Sequence, residues 1–167
     1  MKFVAVLVFF LCVQPVCAAE NAAFTPLIEA VTKENTSPYA IETLIENGEN
    51  VNAVDDQGRT ALMLAAMYIP DPLAVYVLIN HGAKVNAKTP DTGKTALFFA
   101  LQYNKNPKVI LTLLGNGADQ DIKDVFGRTA YDYADRNSKL KNDPVLSLFH
   151  AYHMEDTPPS SVSETSR

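Results

Sequence analysis

Apolar and polar positions alternate along this chain in a scheme that returns several times. Ile41, Leu44 and Ile45, then Val75, Leu78 and Ile79, then Ile110, Leu113 and Leu114 all fall at i, i+3, i+4. That spacing lays each trio along one stripe of a helix. Each stretch opens with a capping-type residue and a proline: Ser37-Pro38, Asp71-Pro72 and Asn106-Pro107. A polar N-cap followed by proline at the first helical position starts a helix, because the missing proline N–H would be unpaired there anyway. Each stretch closes on a glycine, Gly48, Gly82 or Gly117, a residue that can take the left-handed conformation just past a helix end. Asp143-Pro144 opens a fourth stretch, with Leu146, Leu148, Phe149 and Tyr152 as its packing residues.

A second register runs between these helices. Thr25-Pro-Leu-Ile-Glu-Ala30, Thr60-Ala-Leu-Met-Leu-Ala65, Thr95-Ala-Leu-Phe-Phe-Ala100 and Thr129-Ala-Tyr-Asp-Tyr-Ala134 align. Gly58-Arg59, Gly93-Lys94 and Gly127-Arg128 precede the last three. Each unit therefore reads as a short helix opened by Thr, a turn, a second helix opened by Pro, and a projecting polar link such as Val51-Asn52 or Val85-Asn86. Helices this short are not stable alone, so each apolar stripe must be covered by the next unit. Ala30, Ala65 and Ala100 mark close helix approaches. Of the adjacent Phe98 and Phe99, core packing is the expectation for both, although they point in different directions.

At these residues the sequence resembles the ankyrin repeat family. Gly58-Arg-Thr-Ala-Leu-Met-Leu-Ala-Ala66 and His81-Gly-Ala-Lys-Val-Asn-Ala87 look like its two signature stretches. The resemblance runs from about Phe24 to Tyr152 and repeats in register, which a chance motif does not. It implies an all-α fold, an α-solenoid of about four helix-turn-helix repeats with protruding β-turn loops. The expected organisation is a repeat domain over 21–153, with units at about 21–54, 55–88, 89–123 and 124–153. The resemblance also implies binding of another protein and no catalytic content. One departure concerns the family's frequent histidine after Thr-Pro-Leu. That place holds Ile28, Met63, Phe98 and Asp132, so the histidine's hydrogen-bond link is expected to be lost, with apolar packing in its stead in the inner two units.

Carried over position by position, the family's contact residues fall on Asp56, Gln57, Arg59, Met67 and Tyr68 in the second unit. In the third they fall on Asp91, Thr92, Lys94, Gln102 and Tyr103, and in the fourth on Val125, Phe126 and Arg128. Tyr, Met and Arg are enriched in contact cores. Tyr68 and Tyr103, one unit apart, are candidates for an aromatic ladder; the competing reading has them cover their own second helices. The basic column Arg59, Lys94 and Arg128 is expected to pair with acidic residues of an adjacent loop, such as Asp55, Asp91 or Asp124, a contact of small individual worth.

The ends of the chain change the picture. Lys2, the unbroken apolar run from Phe3 to Val13 and the small-residue site Val16-Cys17-Ala18 fit a signal peptide over residues 1–18. The run is shorter than the roughly 20 residues a spanning helix needs. Cleavage would remove Cys12 and Cys17, the only cysteines, leaving no thiol or disulfide chemistry. Residues 154–167 read as a disordered tail, rich in Ser, Thr and Pro from Thr157 onward.

Composition narrows the chemistry. The chain has 167 residues, 14 basic and 19 acidic, for a net charge of -5. That argues against a nucleic acid partner held by phosphate neutralisation, and it would speed association with a basic protein. His81 reads as a helix-end cap. On a helix His150 and His153 would share a face, with Glu155 and Asp156 nearby, but two firm ligands make a weak metal site. No cofactor and no catalytic residue are expected. Asn35-Thr36-Ser37 is a glycosylation sequon, meaningful only in a eukaryotic host.

The functional expectation is an exported protein-protein interaction module, periplasmic or secreted. It would be monomeric, free of the membrane after signal cleavage, and would hold a protein partner on its loop and first-helix face. The alternatives are an inhibitor or immunity-type protein acting on an envelope or secreted enzyme, a structural part of a larger envelope assembly, and a metal-binding or enzymatic protein using His150 and His153.

Overall fold

A computed structural model describes residues 25–134 together with Arg136, Asn137, Pro144 and Ser147. The signal segment, His150, His153, the tail and the packing residues of the last helix lie outside the described residues. Seven helices occur among those described: α1 (Pro26–Val31), α2 (Pro38–Glu46), α3 (Ala61–Tyr68), α4 (Pro72–Asn80), α5 (Ala96–Tyr103), α6 (Pro107–Gly115) and α7 (Ala130–Ala134). Pro144 and Ser147 are also helical. No strand is formed among the described residues beyond one antiparallel bridge, Val54 with Thr60. The fold is an all-α solenoid.

Local chemistry places the helix ends. Thr25 Oγ1 accepts from the Ile28 N–H at 3.3 Å, and Thr60 Oγ1 from the Met63 N–H at 3.3 Å. Ser37, Asp71 and Asn106 cap α2, α4 and α6 with side-chain bonds of 3.2, 2.9 and 3.0 Å, each with proline behind it. Gly48, Gly82 and Gly117 end these helices at φ of 98°, 90° and 84°, where a side chain would be strained. His81 caps α4 as expected, its Nδ1 lying 2.9 Å from the Val77 carbonyl.

The helices form two layers. α1, α3, α5 and α7 pack in succession, as do α2, α4 and α6, and within the units α1 meets α2, α3 meets α4 and α5 meets α6. The first-helix layer is the drier one. Every residue from Ala61 to Ala66 and from Ala96 to Leu101 is buried, Phe98 and Phe99 both included. Ile41, Val75, Leu78, Ile110 and Leu113 are buried along the second helices, with Leu44, Ile45, Ile79 and Leu114 packed on them. Ala65 and Ala100 are fully buried at the helix approaches, and Ala30 partly so.

Two sets of asparagines stitch unit to unit. Asn52 donates to the Gly82 carbonyl (3.1 Å) and accepts from the Lys84 N–H (3.0 Å). Asn86 repeats this with Gly117 (2.9 Å) and Asp119 (2.9 Å). Deeper in, the buried Asn104 donates to the carbonyls of Ala66 (2.8 Å) and Ile69 (3.0 Å). Asn137 does the same to Leu101 at 2.6 Å. These bonds satisfy carbonyls freed where α3 and α5 end.

The histidine place has four outcomes. In the first unit Ile28 is apolar and buried in the first-helix layer. In the second unit the link survives through sulfur, with Met63 Sδ accepting from the Thr60 N–H at 3.4 Å; purely apolar packing was the expectation there, and the soft thioether acceptor overturns it. In the fourth, Asp132 Oδ2 accepts from the Thr129 N–H at 2.8 Å. In the third, Phe98 offers nothing, and the buried Thr95 Oγ1 is left without a hydrogen-bond partner. Phe98 instead meets Tyr133 edge to face at 5.2 Å.

Candidate functional site

The links between units project as loops ahead of α3, α5 and α7, and the loops lie against one another. Gly58, at φ 68°, faces the Pro90 ring so closely that a Cβ there would sit 2.5 Å from Cδ. The Val125 N–H donates to the Thr92 carbonyl at 3.0 Å. Three successive loops thus make a continuous edge.

Two of the three loops share one internal scaffold. Asp55 Oδ1 accepts from the N–H groups of Gln57 (3.0 Å) and Arg59 (2.8 Å), and Oδ2 meets the Arg59 guanidinium at 2.6 Å. Asp124 does the same with Phe126 (2.8 Å), Arg128 (2.9 Å) and the Arg128 guanidinium (2.9 Å). Arg59 and Arg128 therefore pair with Asp55 and Asp124, two of the acids expected, but within their own loops. Lys94 departs from this pairing. Its loop is one residue longer, and Thr89 stands where the aspartates do, accepting the Lys94 N–H at 3.1 Å. Asp91 is exposed at the tip and does not reach Lys94. The Lys94 ammonium turns to Gln102 Oε1 (3.1 Å) and lies 4.6 Å from the centre of the Tyr133 ring.

Electrostatics follow from this geometry. Burial pushes the Asp124 carboxyl up, but the Tyr133 hydroxyl at 2.7 Å, the Arg128 backbone and guanidinium and the Phe126 N–H outweigh it. The carboxyl settles at about 2. Burial, then the bond and charge of Asp124, push the Tyr133 phenol up to about 12. Burial and then the positive charge of Arg128 hold the Lys94 ammonium below its ordinary value.

The other candidate contact residues spread along this edge. Asp56, Gln57 and Asp91 are exposed at loop tips. Phe126 is 69% exposed with Val125 beside it, and the Arg128 guanidinium covers its ring at 4.6 Å. Thr92 and Gln102 are half-buried. Met67 and Tyr68 are partly buried against the core, whereas Tyr103 is 43% exposed. No ring pair joins Tyr68 to Tyr103 among the described residues. Both line a shallow cleft at the C-terminal ends of α3 and α5. Glu34 and Lys105, also lining that cleft, form an exposed ion pair at 3.2 Å. Sequence reasoning did not find Glu34, Lys105 or Asn104; the one signal was a polar Asn104 where the preceding unit has Ile69.

Stacked helix pairs with an edge of interlocked loops define a repeat-type binding scaffold. The family model described as ankyrin repeats (3 copies) matches residues 5–89 and 27–124. The chain belongs to the ankyrin repeat family. It is also similar to an ankyrin repeat protein of fowlpox virus (strain NVSL), 36% identical over 64 residues. That match covers 38% of this chain and 12% of the viral protein's length. Ankyrin repeats are in general non-enzymatic protein-protein interaction modules. No helix among the described residues is long and apolar enough to cross a membrane.

Proposed function

We propose that this protein is an exported, monomeric ankyrin-repeat binder that holds one protein partner across its loop edge and the exposed ends of α3 and α5. The observation that carries the reading is the interlocked edge. Gly58 against Pro90 and Thr92 bonded to Val125 fix the loops relative to each other, so little ordering cost remains to be met on binding. On that rigid edge Asp56, Gln57, Asp91, Tyr103 and Phe126 stand ready for contact, with Met67 and Tyr68 behind them. Export rests on the apolar leader with Lys2 and the Val16-Cys17-Ala18 site.

Affinity capture from the exported fraction of the host tests this reading. The full chain should retain a partner that Tyr68→Ala/Tyr103→Ala retains poorly, with melting temperature nearly unchanged. An equal loss of stability would make the tyrosines core residues and refute their contact role. Should the partner be an enzyme of the envelope or medium, assaying it with one equivalent of this protein separates an inhibitor from an adaptor.

A further inference from the structure

Among the paired charges of the loop edge, Lys94 stands apart. Arg59 and Arg128 are each neutralised by an aspartate within their own loop. Lys94 forms no ion pair among the described residues; its ammonium is held by an amide oxygen and a ring face. The Gln102 amide accepts through Oε1 at 3.1 Å, so its NH2 group keeps both hydrogens as donors beside the ammonium. No acceptor takes them among the described residues. Two donors, one of them charged, thus converge at a half-buried place between α5 and α7. Beside them runs an aromatic and cationic stack. Tyr133 lies under Lys94 at 4.6 Å and under Arg128 at 4.9 Å, and Arg128 in turn covers the exposed Phe126 ring at 4.6 Å.

Resting on the binding role proposed above, we infer that Lys94 and Gln102 form a docking point for a single side-chain carboxylate of the partner protein, with an apolar partner residue seated on Phe126. A carboxylate matches the site better than a doubly charged group does. One positive charge is uncompensated here, because Asp124 neutralises Arg128. Two adjacent donors suit the two oxygens of a carboxylate, and a charge-assisted bond in a half-buried setting is stronger than one at an open surface. The net charge of -5 disfavours a strongly acidic partner at long range. The carboxylate therefore belongs to an isolated acidic residue in an otherwise neutral or basic surface.

Random heptapeptides displayed on phage, selected against the full chain and its Lys94 variants, test this. Wild type should enrich peptides with one Asp or Glu next to an aromatic or aliphatic residue. Lys94→Met should bind the best of these at least tenfold more weakly by fluorescence anisotropy. Lys94→Arg should keep the acidic preference, and Lys94→Glu should select Lys or Arg instead. Gln102→Leu, which spares the ammonium, is the second variant and should weaken the same peptide several-fold. Circular dichroism confirms that each variant keeps its helices. An acidic preference absent from wild type, or unchanged in both Lys94→Met and Gln102→Leu, overturns the inference. Acid-free peptides that lose binding in Tyr68→Ala/Tyr103→Ala would remove the carboxylate and leave the binding face standing. Peptides indifferent to all these substitutions, or no enrichment at all, would overturn both.

Discussion

Gly58 and Pro90 touch across two successive loops, and the contact leaves no room for even a methyl group. A Cβ on Gly58 would lie 2.5 Å from Pro90 Cδ and 2.7 Å from Cγ, on a backbone already at φ 68°. Gly82 offers a control, with φ 90° and nothing within 4 Å. Gly82→Ala should cost only the strained backbone, about 1–3 kcal/mol. Gly58→Ala should cost more, and Pro90→Ala should recover part of the excess. Urea unfolding of the singles and the double measures this. Equal losses for the two alanines would mean that the loops are not seated on one another.

Thr60 and Thr95 open equivalent helices with opposite consequences for their hydroxyls. Thr60 Oγ1 caps the Met63 N–H; Thr95 Oγ1 is buried with no partner. Thr60→Val should therefore lose about 0.5–2 kcal/mol. Thr95→Val removes an unsatisfied polar atom at nearly constant shape and should be neutral or stabilising by roughly 1 kcal/mol. A loss at Thr95 as large as that at Thr60 would contradict the assignment.

Stability should fall at both ends of the pH scale around one hydrogen bond. The Asp124 carboxyl is at about 2 in the folded chain against an ordinary 3.8, and its side chain is fully buried. Its contribution of roughly 2 kcal/mol is complete above the ordinary value and disappears as pH falls through about 2. Tyr133, raised from 10.0 to about 12, works the other way. Its contribution is complete below pH 10.0 and is lost as pH rises through about 12. Asp124→Asn should flatten the acid limb of a melting-temperature profile, and Tyr133→Phe the alkaline limb. Since the two share the 2.7 Å bond, their effects should not add. Unchanged limbs would refute the pairing.

Asn104 carries the deepest polar link between units. Asn104→Ala would leave the carbonyls of Ala66 and Ile69 buried without that donor, a loss of about 2–3 kcal/mol. Asn52→Ala, at a half-buried position open to water, should cost less. Thermal unfolding that ranks them the other way would contradict the burial argument.

The helices were legible in the sequence because what starts and stops them is local. Thr60, Asp71-Pro72 and Gly82 each act within a few residues, and the i, i+3, i+4 stripes report one face of one helix. The pairing of Lys94 was not legible in the same way. Asp55 and Asp124 stand four residues before their arginines, but the third loop is one residue longer and places Thr89 at the scaffold position. Asp91 is near in sequence but exposed, and makes no ion pair with Lys94. The roles of Asn104 and Asn137 were hidden for a different reason. Their acceptors lie 33 to 38 residues away, and only the stacking of one unit on the next brings them together. Met63 as a sulfur acceptor was missed because a thioether at a core position is ordinarily apolar filling.

Hydrogen-deuterium exchange on the chain with and without its captured partner tests the central claim most directly. A second exposed surface exists on the outer helices, where Tyr39, Leu73, Tyr76 and Leu111 are 75%, 58%, 49% and 38% exposed. Partner-dependent protection confined to the loops before α3, α5 and α7 and to the ends of α3 and α5 is the predicted result. Protection over α2, α4 and α6, with those loops exchanging as freely as before, would contradict it.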